Sequence, residues 1–243
     1  MSHQTEPGGD AVTRLAVSTV IFALRPDRTG RPVLWTPLVR RTREPQLGLW
    51  ALPGGWLPPS EELEAAAART LRLTTGLAPT YLEQLYTFGE VDRSPDARVV
   101  SVVYWALVQR DEAARATAGP NVRWVPADTL PGLAFDHNRI IEYALWRLRT
   151  KVEYAWIAHA FLGETFTLAE LREVVEAVLQ RPLDPANFRR TMLASGRLHE
   201  TGERLAGARN RPPKLYRYDS SALADATPEP TARTEALRER PAS

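Results

Sequence analysis

The 243-residue chain has no cysteine, which excludes disulfides, thiolate metal sites and cysteine nucleophiles together. Histidine is scarce: His3, His137, His159 and His199 are scattered without the spacing of a metal cage. Lysine is reduced to Lys151 and Lys214, so every other basic side chain is an arginine. Long apolar runs are missing too. The longest early one, Leu15–Leu24, is too short to span a bilayer. It follows a polar leader without a small-residue cleavage site, so neither anchor nor signal peptide is expected, and the cytoplasm is the expected compartment.

What is present suits an ordinary globular protein. Hydrophobic residues make up 44% and charged residues 25% of a chain long enough for one large domain or two smaller ones. The net charge is only +2, but it is unevenly spread. Residues 181–217 carry nine basic residues against three acids, a net of +6 that leaves −4 for the rest. Such a local excess is an electrostatic footprint for a phosphate backbone.

Strand-like stretches lie at Leu15–Leu24, Val33–Val39, Leu49–Leu52, Leu82–Phe88, Val99–Val108 and Val122–Val125. The stretch VVSVVYWALV is apolar almost throughout, as a strand covered on both faces would be. Helices are expected over residues 60–75, with Ser60 as N-cap and Gly76 as the stop, and from Phe135 to Arg149. Mixed strands enclosing one helix, with another packed outside, predict an α/β sandwich over residues 14–150.

After Thr150 the pattern changes. Helical segments at Val152–Phe161, Leu168–Leu179 and Pro185–Ala194 precede two hairpin-like arms, RLHETGERL and PPKLYRYD. Residues 151–219 thus predict a helix-turn-helix with a β-hairpin wing. Residues 1–13 and 220–243 lack apolar periodicity and are expected to be disordered.

Two constellations carry the chemistry. In GGWLPPSEELEAAAARTLRLTTGL (54–77), Gly55, Glu61, Arg69, Leu71 and Gly76–Leu77 fall on fixed spacings behind WALPGG. This skeleton resembles the Nudix box of pyrophosphate-cleaving enzymes. Such enzymes hold a divalent cation with glutamates at the places occupied here by Thr70, Leu73 and Thr74. Magnesium requires hard oxygen donors, so hydrolysis by the usual metal route is expected to be lost while the pocket persists. The resemblance assigns Glu61 to bracing Arg69. Gly54 and Gly55 would let a phosphate approach the backbone closely, and Arg69 offers a forked donor. Trp50, Trp56 and Phe88 are read as stacking residues for a base, against the alternative that they are core, the commoner role of buried aromatics.

The second constellation begins with TFTLAELREVVEAVL, where Thr167 and Glu170 form a capping box. Leu168, Leu171, Val175 and Val178 should face the module's core. The next helix has Asp184 as N-cap and Pro185 in its first turn. Phe188, Met192 and Leu193 lie to one side, with Arg189 packing its stem beside them. Asn187, Arg190 and Thr191 face the other way, where Arg suits guanine and Asn suits adenine.

Residues 84–108 and 130–154, together with FTLAEL, NFRR and PPKLYRY, resemble the Nudix-related transcriptional regulators of NAD metabolism over roughly residues 14–219. The resemblance implies a Nudix α/β/α sandwich followed by a winged helix, acting as a repressor of NAD biosynthesis or salvage genes. It implies ADP-ribose or a related nucleotide as effector, no cofactor, double-stranded operator DNA as partner, and a homodimer. It places Arg98 and Ser101 near the ligand and Asp136 and His137 at the start of the closing helix, His137 as a structural group. Thr167, Asn187, Arg189, Arg190, Thr191, Arg209, Arg211 and Lys214 are the expected DNA contacts. The competing reading is a hydrolase of ADP-ribose-like nucleotides with acids relocated to Glu62 or Glu64.

Overall fold

The computed structural model describes residues 12–77, 81–116, 119–152, 156–206 and 212–219. Both expected tails lie outside this range, apart from Val12 and Thr13. Strand β1 (Arg14–Pro26) is the spine. Its first half pairs antiparallel with β4 (Gly54–Trp56), and its last four residues pair with β2 (Pro32–Arg40). Along residues 14–23 it runs parallel to β6 (Val99–Val108). Strand β2 also carries β3 (Trp50–Ala51) and β7 (Val122–Pro126), while β6 carries β5 (Tyr81–Phe88) at the edge. The result is a seven-stranded mixed sheet.

The apolar character of β6 follows from its central place. Val102 and Tyr104 pack with Ala66 and Ala67 of helix α1 (Leu63–Thr75), and Ala106 packs with Leu71. Val103, Trp105 and Leu107 belong to the opposite face, under helix α3 (His137–Val152). Helix α1 stops where Gly76 turns left-handed at φ 74° and donates its N–H to the Arg72 carbonyl. Its start differs from expectation: the N-cap is Glu62, not Ser60. A turn in which the Glu61 N–H bonds the Pro58 carbonyl takes up Ser60 and delays the helix. A short helix, α2 (Arg110–Arg115), and strand β4 were not expected.

The segment Val152–Phe161 is not one α-helix. Helix α3 reaches Val152, and residues Trp156–Phe161 form a 3₁₀ helix. Helix α4 (Leu168–Leu179) follows, with Leu168, Leu171, Val175 and Val178 buried as its periodicity required. Helix α5 (Pro185–Ala194) and the hairpin of β8 (Leu198–Arg204) and β9 (Lys214–Tyr218) complete the winged module. The module is not a loose appendage. Phe22, Leu34 and Leu38 of the sheet join Leu171, Val174, Val178 and Phe188 in one continuous apolar core. Among the described residues no helix is long and apolar enough to cross a membrane.

Candidate functional site

The box helix keeps its brace. Arg69 grips Glu61 through two hydrogen bonds of 2.7 and 2.6 Å, and the contact holds the Glu61 carboxyl below its ordinary range. The acid positions have become apolar or self-satisfied. Thr70 and Thr74 are buried, and the Thr74 hydroxyl donates back to the Thr70 carbonyl at 2.8 Å. Leu73 is 76% exposed and offers no oxygen. Among the described residues no three acids or histidines converge. The donor set does not fit the cation of the usual Nudix reaction.

The two box glycines have different reasons to be glycine. A Cβ on Gly54 would lie 2.6 Å from the Val17 carbonyl oxygen, because β4 presses against β1 there. Strand packing therefore requires glycine at position 54, whose backbone is itself exposed. Nothing lies within 4 Å of a Cβ on Gly55, so the side-chain side of that residue is open space.

Trp56, Ala16, Ser101 and Phe88 stand in one register row across β4, β1, β6 and β5. Trp56 is 53% exposed, and the Arg14 guanidinium lies 5.5 Å from its ring centroid. Arg98 is beside them, since its carbonyl accepts the Arg14 N–H and its guanidinium donates to the Glu90 carbonyl at 3.1 Å. Trp56, Arg14 and Arg98 therefore collect at one end of the sheet. Phe88 is buried edge-to-face against Tyr86 and Tyr143, which corrects its reading as a stacking platform. Ser101 is also buried, with its hydroxyl 3.1 Å from that of Ser18. Trp50 is half-buried, and its carbonyl receives the Ala134 N–H ahead of α3.

The start of α3 holds groups that sequence reasoning missed. Arg93 clasps Asp136 through two bonds of 3.0 and 2.7 Å. Arg41 lies 4.6 Å from the Phe135 ring centroid, and the Phe135 N–H bonds Gln46. His137 Nδ1 accepts the Leu52 N–H at 2.9 Å. Burial, reinforced by Arg93 and Arg41, pushes the imidazole down to about 3. His137 is therefore a neutral acceptor at neutral pH, the structural group expected of it. The charge-dense run EVDRSPDAR was the available signal for Arg93.

In the winged module, Asp184 accepts the Asn187 N–H at 2.7 Å and Pro185 opens α5. Only Phe188 and Met192 of this helix are buried. Asn187, Arg189, Arg190 and Thr191 are all exposed. Two corrections follow from an inner face only two side chains wide. Arg189 does not pack its stem inward, and Leu193 is 42% exposed. Arg190 donates to the Asn187 side-chain oxygen at 2.7 Å, so the two form one polar unit.

Thr167 is also corrected as a DNA contact. It is buried, its hydroxyl accepts the Glu170 N–H, and its own N–H goes to the Glu170 carboxylate. The capping box uses the groups it would need for DNA. On the wing, Lys214 pairs with Glu200 at 2.8 Å, while Arg209 and Arg211 lie outside the described residues. An exposed Asn–Arg–Thr face on the second helix of a helix-turn-helix is suited to base edges in a major groove.

Comparison with known proteins matches residues 14–144 to the NUDIX domain and residues 158–218 to the NrtR DNA-binding winged helix domain. The ADPR responsive transcriptional repressor NtrR of Acinetobacter baylyi is 35% identical over 187 residues, 74% of either chain. Shewanella oneidensis NrtR, solved in complex with a 27mer DNA, superposes with a TM-score of 0.70 at 34% identity, covering 86% of this chain and 95% of that one. An ADP-ribose pyrophosphatase of Methanocaldococcus jannaschii is 33% identical over 111 residues, 45% of this chain and 66% of that enzyme.

Proposed function

The chain belongs to the NrtR family of Nudix-related transcriptional regulators, and from that premise we propose that it is an operator-binding repressor that senses ADP-ribose or a related NAD-derived nucleotide. Its targets are genes of NAD biosynthesis or salvage, and its compartment is the cytoplasm. One observation carries the reading. The exposed Asn187–Arg189–Arg190–Thr191 face is built into the same core as a Nudix sheet whose acid positions hold Thr70, Leu73 and Thr74. Helix α5 enters the major groove, and Arg209, Arg211 and Lys214 contact backbone or minor groove. A homodimer would place two such helices on a palindrome with half-sites about one or two turns apart.

The nucleotide occupies the open end of the sheet, where Gly55, Trp56, Arg14 and Arg98 gather. It regulates by binding the DNA-competent and free conformations unequally. Fluorescence anisotropy with promoter and scrambled duplexes, each with and without ADP-ribose, tests the proposal. Promoter-selective binding that shifts with nucleotide is the expected result. Equal affinity for both duplexes would overturn it.

The enzyme reading draws on the archaeal pyrophosphatase relative and on Glu62 and Glu64, which stand exposed at the start of the box helix. Release of AMP from ADP-ribose with magnesium or manganese, at a catalytic rate and dependent on either glutamate, would establish it. We infer instead that the domain binds without turnover, because Thr70, Leu73 and Thr74 provide no carboxylate to hold the ion.

A further inference from the structure

Helix α3 has its two ends tied to different tasks. At its N-terminus, Asp136 binds Arg93, His137 binds the Leu52 N–H, and the preceding Phe135 N–H binds Gln46. These contacts fasten it to the loops of the Nudix sheet. Its 16 residues carry the chain about 24 Å. In the last turn Arg149 has two partners. Its Nε donates to the Val178 carbonyl of α4 at 3.0 Å, and its Nη2 donates to Asp128 Oδ1.

Asp128 lies in the turn after β7, and its second oxygen accepts a hydrogen bond from Gln180 Nε2. Gln180 is the C-cap of α4 and sits at φ 55°, ψ 33°, a left-handed conformation uncommon for a residue with a side chain. From Gln180 the chain runs directly to Asp184, the N-cap of α5. The intervening turn is itself held, since the Leu183 N–H bonds Glu176 and its carbonyl accepts Arg172. One carboxylate thus joins the end of the sensor's closing helix to the turn that aims the recognition helix.

We infer that Asp128 is a positioning residue for operator recognition, clasping Arg149 and Gln180 so that a shift of α3 changes the angle at which α5 is presented. The inference rests on the proposed operator-binding function. Charge-assisted hydrogen bonds of this kind are short and strongly distance-dependent. A movement of about an ångström at Arg149 would therefore weaken the Asp128 contact and free the Gln180 side chain. A cleft of about 670 Å³ adjoins the clasp, lined by Asp128, Glu142, Trp146 and Arg149 among others. It gives the two charged side chains room for a second arrangement.

Two variants of the full-length protein separate the clasp from the turn. Asp128→Ala removes the shared carboxylate. Gln180→Gly removes the side-chain bond while favouring the left-handed backbone, so the turn itself is preserved. Operator affinity is measured with and without ADP-ribose, and amide hydrogen exchange is followed over residues 181–194. In both variants the nucleotide-dependent change in affinity is expected to fall from the roughly 5–150-fold range typical of coupled sites to within about twofold of unity. Protection across α5 should fall with it.

Wild-type coupling and wild-type protection in Gln180→Gly would overturn the inference, since the backbone turn alone would then suffice. Failure of the wild-type protein to bind promoter DNA selectively would instead overturn the functional reading. Hydrogen exchange would still decide the clasp in that case: unchanged protection in both variants overturns it, and lost protection supports it.

Discussion

Arg93 and Asp136, 43 residues apart, meet in a two-point ion pair with side chains only 5% and 14% exposed. The pair joins the loop after β5 to the start of α3. Removing one partner leaves the other charge buried without compensation, which costs about 3–5 kcal/mol in comparable pairs. Asp136→Ala and Arg93→Ala should each lower the melting temperature markedly. A double variant, Arg93→Met with Asp136→Leu, should recover much of the loss, because no buried charge then remains. Thermal denaturation of the three proteins checks this, and a double variant no more stable than the single variants would refute it.

His137 gives the protein a pH signature. Its folded pKa of about 3 lies below the ordinary 6.5, because burial and the nearby Arg93 and Arg41 disfavour the imidazolium. Below pH 6.5 the unfolded chain takes up a proton that the folded chain refuses. This contribution to stability is therefore complete above about pH 6.5 and is lost as pH falls toward 3. The slope approaches about 1.4 kcal/mol per pH unit within that window. His137→Gln retains an acceptor for the Leu52 N–H but does not titrate. Denaturant unfolding of both proteins between pH 7 and pH 4 should give a visibly flatter profile for the variant.

These two sites show which layer of the structure was readable in advance. The Thr167–Glu170 box and the apolar run of β6 express local pattern and appear as expected, and the Glu61–Arg69 pair appears as the family resemblance implied. Arg93–Asp136, Ser18–Ser101 and the contact of Gly54 with β1 join segments distant in sequence. No local pattern encodes those partners. The misplaced start of α1 has another origin: Ser60 is a good capping residue, but the turn closed by Pro58 claims it. Phe88 was ambiguous for a different reason, since an aromatic on a strand looks the same whether it stacks on a ligand or on Tyr143.

The exposed face of α5 and the buried cap of α4 should separate cleanly under mutation. Arg190→Ala is expected to cost about 1–3 kcal/mol of operator affinity and little stability, since the side chain is exposed and bonds the equally exposed Asn187. Asn187→Ala should cost less when Arg190 is already absent than when it is present, because the pair acts as a unit. Thr167→Ala should behave in the opposite way. Losing the N-cap costs about 0.5–2 kcal/mol of stability, and DNA affinity should follow only the folded fraction. Anisotropy alongside thermal denaturation separates the two classes, and a folded Arg190→Ala protein with undiminished operator affinity would discard the assignment.

Gly54 and Gly55 are adjacent, yet alanine should affect them in different ways. At Gly54 the new methyl meets the Val17 carbonyl oxygen at 2.6 Å and the Ser18 Cα at 3.0 Å. Both are backbone atoms of the central strand and cannot rotate away. Relief requires β4 to lift from β1, at a cost of about 1–3 kcal/mol typical of overpacking. At Gly55 the methyl meets nothing within 4 Å, and the position is exposed beside Trp56. Gly55→Ala should therefore leave the melting temperature unchanged while weakening ADP-ribose binding, because the methyl occupies space a phosphate would approach. Calorimetric titration with the nucleotide, paired with thermal denaturation, tests both halves. Undiminished nucleotide affinity in Gly55→Ala would move the phosphates away from this strand and toward the loops that hold Arg93 and Arg98.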